Sequence, residues 1–160
     1  MSDAPRLPAG YSTRAGEVEV RAALAEDFGE LARLLGYLGL GSADPPVADR
    51  DAFQRTLADQ RRMVLVAARD RRLVGTLDLI VVDNVTHAGA PWAAIENVVV
   101  DPVERRRGIA RAMLDAALEL ARGVGCYKVQ LLSDAQRSEA HAMYEQVGFD
   151  YPVRGFRRYL

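Results

Sequence analysis

The stretch VVVDPVERRRGIARAM, Val98 to Met113, constrains this 160-residue chain more than any other. A β-branched triplet runs into Asp101-Pro102, three arginines follow, and then come Gly108, Ala110 and an apolar periodicity at helical spacing. Proline cannot donate to a strand ladder, so the strand must end there. The segment therefore reads as a strand, a basic turn and a helix start. A helix N-terminus presents unpaired N–H groups and a partial positive charge, and it holds phosphate where small residues let the ligand come close. Gly108 and Ala110 supply the room, while Arg105, Arg106 and Arg107 add fork-shaped donors beside it. A pyrophosphate suits that geometry. Two common phosphate motifs do not fit: G-x-x-x-x-G-K-[ST] is absent, and GVGCYK ends a helix instead of following a strand.

The rest of the chain arranges itself around this segment. Residues Met1 to Gly16 are rich in Pro, Gly and Ala without periodicity, which predicts a flexible arm. EVEVRAAL alternates Val18, Val20 and Ala22 against polar partners, a half-buried strand. From Glu26, a stripe of Phe28, Leu31, Leu34, Leu35 and Leu38 predicts a helix, and a second one over about Asp49 to Arg61 turns Phe53 and Leu57 inward. MVLVAARDRRLVGTLDLIVVDN reads as a hairpin turning at Arg69 to Arg72, and the apolar WAAIENVVV as a central strand covered on both faces. The helix after Gly108 stops at Gly123 and Gly125. CYKVQLL gives a strand, SEAHAMYEQVGF a short helix stopped by Gly148, and FRRYL a closing strand. The order β-α-α-β-β-β-α-β-α-β describes an α/β (α+β) protein: one domain over residues 17–160, a mixed sheet flanked by helices.

Formal charge −1 and pI ≈ 6.1 give no basic excess for nucleic acid, so an anion site must be local. Cys126 is the sole cysteine and His87 and His141 the only histidines, which rules out an internal disulfide framework and leaves no ligand cluster for a structural metal. No segment reads as a signal peptide or a membrane span, so a cytoplasmic protein with no membrane partner is expected.

RRRGIA fits the R/Q-x-x-G-x-G/A signature at Arg105, Gly108 and Ala110; IENVVVDP precedes it, and MYEQVGF matches a Y-E-x-x-G-F element further on. In these three elements and in the order of its strands and helices the chain resembles the GCN5-related N-acetyltransferase (GNAT) superfamily. The resemblance implies an acetyl-CoA site with pyrophosphate on the N–H groups from Arg106 to Ala110, Arg107 and Ile109 included. The pantetheine arm would pair with the Val98-Val99-Val100 run through the backbone of Val98 and Val100. Many members carry Asn after the strand containing Leu131 and Leu132. Here SDAQRSEA stands in its place, and Ser133 or Arg137 would have to substitute.

Acetyl transfer to an amine needs a neutral nucleophile, a polarised thioester carbonyl and a proton for the departing thiolate. Tyr144 stands where the family often carries a tyrosine acid, and a phenol near pKa 10 keeps its proton at neutral pH. Ala140, Met143, Tyr144 and Val147 also follow helical spacing, so a core aromatic is the alternative reading, and the YEQVGF context favours the acid. Glu96 lies in an apolar strand, where a carboxylate is costly unless it is paired or faces a wet cleft. It is the candidate base, with a structural hydrogen-bonding role as the alternative. Alternation puts Asn97 on the opposite face, and a bulge at Asn97 or Val98 would aim an N–H at the carbonyl. Trp92 reads as core filler, and His141 as a solvated or capping group. The expected partners are acetyl-CoA and an amine acceptor, with a homodimer left open. A non-catalytic acyl-CoA-binding or regulatory module of the same fold is the second reading.

Overall fold

The computed structural model describes residues 6–39, 47–150, 153–156 and 158. Among these residues six strands form one sheet in chain order: β1 Ser12–Ala15, β2 Val18–Ala22, β3 Arg62–Arg69, β4 Arg72–Val82, β5 Trp92–Val100 and β6 Val129–Leu131. Neighbours from β1 to β5 are antiparallel, and β6 joins β5 in parallel after the crossover helix. Helices α1 Phe28–Leu35 and α2 Arg50–Ala58 come between β2 and β3, α3 Ile109–Gly123 between β5 and β6, and α4 Ser138–Gln146 after β6.

Strand alternation divides the core between the two faces of the sheet. On one face Met63, Leu65, Ala67, Leu77, Leu79 and Ile95 pack with Met113, Leu114 and Ala117 of α3. On the other, Val64, Val66, Leu73 and Val99 meet Leu31 and Leu34 of α1 and Phe53 of α2. Each fully buried Leu or Ile contributes roughly 1.5–3 kcal/mol relative to exposure. The β3–β4 hairpin closes through Asp70 and Arg71, whose φ values of 50° and 67° give the double left-handed turn that matches strand twist. Gly75 lets α3 sit close to the sheet, since a Cβ there would lie 2.9 Å from Met113 Cε and 3.1 Å from Ile109 Cγ2.

Several expectations are corrected. The segment expected to be a flexible arm pairs from Ser12 to Ala15 with β2, and Leu7 N–H donates to the Gln60 carbonyl at 2.8 Å. Backbone pairing orders these residues, with Leu7 buried in the α3-side core and Tyr11 and Ala15 packed against it. Leu57 is 36% exposed because α2 ends at Ala58 and turns only Phe53 into the core. Trp92 is half-buried at the start of β5, with Lys128 Nζ 5.3 Å from its ring centroid. Of the expected closing strand, Phe156 and Arg158 are not in a strand, and its other residues lie outside the described ones.

Candidate active site

The parallel pairing of β6 reaches only Ala93, Ala94 and Ile95 of β5. Beyond Ile95, β5 is paired with β4 on one side, and among the described residues no strand covers its other edge. A register break opposite Leu77, between the Thr76–Val99 and Asp78–Glu96 pairs, sets Asn97 and Val98 against one residue of β4. This is a β-bulge, and Asn97 takes it up at φ 54°. The bulge reverses the alternation. Ile95 belongs to the α3 face, whereas after it Val98 and Val100 pack on that face and Val99 is buried towards α1. Asn97 does not take the purely structural place on the opposite face that strict alternation gave it; it lines the cleft between α1, α2 and the sheet.

At the end of β5 the Asp101 side chain accepts from Val103 N–H and starts a short 3-10 turn, Pro102–Glu104. Arg105 to Gly108 follow as an exposed loop, with Arg106 at φ 63° and Gly108 at φ 76°. Gly108 is the N-cap of α3 and no side chain caps the helix, so its first N–H groups stay open. A Cβ on Gly108 would meet nothing within 4 Å. Ile109 is buried and offers only its backbone to this loop. Arg107 lies 3.5 Å from Glu104, while Arg105 and Arg106 form no ion pair among the described residues. Glu104 is also the partner of Arg69.

Tyr144 on α4 is buried in the α3-side cluster, edge-on to Phe149 at 6.2 Å, and Val98, Val100 and Leu131 pack against the same cluster. Burial pushes its hydroxyl above the ordinary value of 10.0, against the opposing charge of Arg137. Ser133, just beyond β6, has its Oγ buried with no hydrogen-bond partner.

Glu96 is exposed, and its register partner is Asp78 of β4. Direct partners share a face and bring Cβ atoms to about 5 Å, so Glu96 stands beside Asp78, which lines the α1–α2 cleft. Asp78 is only 4% exposed. Burial pushes its carboxyl up, while the hydrogen bonds and charge of Arg62 pull it down and leave a net rise. Arg62 Nε donates to both Asp78 oxygens at 3.0 Å, and Nη2 adds a further bond. Asp78 escaped the sequence reading although it carries the signal that singled out Glu96, a carboxylate inside an apolar strand. Glu96 and Tyr144 thus stand on opposite faces of the sheet, with the open edge of β5 as the element they share.

An open strand edge thus leads to an uncapped, arginine-rich helix start, with the α1–α2 cleft beside it. The chain belongs to the acetyltransferase (GNAT) family, which it matches over residues 23–149. It is 30% identical over 147 residues to the glucosamine 6-phosphate N-acetyltransferase of Trypanosoma brucei brucei, covering 88% of this chain and 95% of that one. It is 30% identical over 132 residues to the aminoalkylphosphonate N-acetyltransferase of Salmonella typhimurium, covering 82% and 84%. A solved structure of an acetyltransferase from Agrobacterium tumefaciens superposes with a TM-score of 0.80 at 35% identity, covering 88% of this chain and 99% of that one. The protein is an enzyme, an N-acetyltransferase of the GNAT type, and enzymes of this family use acetyl-CoA.

Proposed function

We propose that the protein transfers the acetyl group of acetyl-CoA directly to a primary amine while both substrates are bound. Acetyl-CoA supplies an activated thioester and a thiolate leaving group. Val98 and Val100 pair through their backbone with the pantetheine arm along the uncovered edge of β5. The N–H groups from Arg106 to Ala110 hold the pyrophosphate, with the side chains of Arg105, Arg106 and Arg107 beside them. The unpartnered Ser133 Oγ and the empty space at Gly108 support this placement: one is a buried polar atom in need of a ligand, the other an open cradle.

Around the reacting atoms the residues divide the proton work. Glu96 accepts the proton of the amine, through water, on the cleft side. The bulge at Asn97 and Val98 turns backbone N–H towards the edge where the carbonyl lies. Tyr144 gives its proton to the sulfur as the C–S bond breaks and the C–N bond forms, and the second proton of the attacking nitrogen restores the phenol. The observation that carries this reading is the run of β5 from its uncovered, bulged edge through the short turn and basic loop to the uncapped start of α3.

The relatives are named for glucosamine 6-phosphate and for aminoalkylphosphonates, and an amine acceptor is their shared feature. The reading is tested by incubating the protein with acetyl-CoA and a panel of primary amines while following free thiol. Amine-dependent thiol release with a matching acetylated amine is expected. Acetyl-CoA binding with no amine-dependent release across the panel would overturn it.

A further inference from the structure

The cleft beside Asn97 is small, about 190 Å³, below the roughly 300–1,000 Å³ of sites for drug-sized ligands. Its upper walls are apolar: Phe28 and Leu31 of α1, Phe53 of α2 and Val64 of β3. Its polar lining includes Asp49, Asp78 and Asn97; Glu96, the cross-strand partner of Asp78, is not among the residues that line it. Among the described lining residues Arg62 is the one cation, and Asp78 holds its guanidinium through both carboxylate oxygens. Arg50 lies outside the lining, 4.3 Å from the Phe28 ring centroid.

This charge arrangement selects among amines. Arg62 and Asp78 cancel, so Asp49 leaves the lining net negative and attractive to an ammonium group. A phosphate or phosphonate on the acceptor would have to enter an apolar pocket whose guanidinium is already occupied, and an uncompensated buried anion is costly. A hydrocarbon substituent meets Phe28, Leu31 and Phe53 at no such cost.

We propose that the acceptor is a compact primary amine with an apolar substituent, and that Asp78 sets this preference by occupying Arg62. The inference rests on the acetyl-transfer reading above and narrows its acceptor. The pair 3,3-dimethylbutylamine and 2-aminoethylphosphonate differ in a tert-butyl group against a phosphonate of similar shape on the same aminoethyl arm. Thiol release from acetyl-CoA gives kcat/KM for each, and calorimetry of acetyl-CoA is run on the same protein. The wild type is expected to favour the tert-butyl amine by tenfold or more. In Asp78→Asn, which frees Arg62 to meet an anion, the ratio should shift towards the phosphonate by at least tenfold. Both amines are measured on one sample, so a partly unfolded variant leaves the ratio intact.

Equal or better use of the phosphonate by the wild type would overturn the acceptor class while leaving acetyl transfer standing. A ratio unchanged in Asp78→Asn would remove Asp78 from the selection. Acetyl-CoA bound with neither amine consumed would overturn the proposal. Failure to bind acetyl-CoA would instead strike the acetyl-transfer reading on which it rests.

Discussion

Arg33 of α1 donates from Nη1 to the Asp101 carboxylate at 2.8 Å, tying the helix that roofs the acceptor cleft to the residue where β5 enters the basic loop. The same guanidinium donates to the Leu73 carbonyl at 2.8 Å and to Glu30 at 3.0 Å, and Arg72 reaches Asp101 at 3.0 Å. Asp101 is 1% exposed; removing it takes one partner from Arg33, which keeps Glu30 and the Leu73 carbonyl, leaves Arg72 without this contact and frees the Val103 N–H. Asp101→Ala should cost about 2 kcal/mol, the scale of losing hydrogen bonds to a charged group and leaving an N–H unpaired. Urea unfolding measures this, and a loss below about 1 kcal/mol, the scale of a surface pair, would contradict the clamp.

The clamp also fixes the sign of a pH effect. Burial alone would raise the Asp101 carboxyl, but the hydrogen bonds from Arg33 and Val103 and the charges of Arg33 and Arg72 outweigh it and hold it below 3.8. Asp27 is lowered in the same way by Arg21 and the Leu24 N–H, again against burial. A carboxyl whose pKa falls on folding stabilises above its unfolded value and loses that contribution as pH drops through the folded one. The urea midpoint should therefore fall as pH goes below 3.8, and Asp101→Asn should flatten that acid limb. Asp78 has the opposite sign: its contribution is complete below its unfolded value and is lost as pH rises through its raised folded one.

Gly108 sits at φ 76° with open space where a Cβ would go, so its substitutions separate strain from ligand access. Gly108→Ala should cost on the order of 1 kcal/mol for the left-handed backbone and leave the fold intact. Gly108→Glu puts bulk and negative charge at the helix start and should abolish acetyl-CoA binding by calorimetry. A folded Gly108→Glu protein with wild-type affinity would move the pyrophosphate site elsewhere.

The long elements were legible because their patterns are strong. The near-continuous apolar runs of β3 and β4 mark strands covered on both faces, and the Met113, Ala117, Leu120, Ala121 stripe of α3 follows the helical period. β1 was not legible: its burial alternates only between exposed and half-buried, and what orders it is backbone pairing with β2. The bulge could be anticipated because Asn tolerates positive φ, but its effect on the face of Asn97 could not. Asp78 carries a readable signal, a carboxylate inside an apolar strand. Arg33 and Asp101 stand 68 residues apart, and no local pattern announces that they meet.

Tyr144→Phe removes one hydroxyl and keeps the ring against Phe149. If Tyr144 is the acid, turnover should fall by roughly 10²–10⁴ while acetyl-CoA affinity and Tm stay near wild type. Because burial raises this phenol above 10.0, it keeps its proton through neutral pH, and an alkaline loss of rate due to it should lie above pH 10. A variant within a few-fold of wild-type turnover would return Tyr144 to the core.

Direct transfer is the central claim, and Cys126 is the chain's one thiol through which an acetyl group could pass instead. It is half-buried, and burial pushes its pKa up, away from the thiolate that such a detour needs. Initial velocities measured while acetyl-CoA and the amine are varied together, alongside the intact mass of protein held with acetyl-CoA alone, decide the matter. Intersecting double-reciprocal lines and no acetylated protein are expected for a ternary complex. Parallel lines with an acetyl group trapped on Cys126 would contradict it.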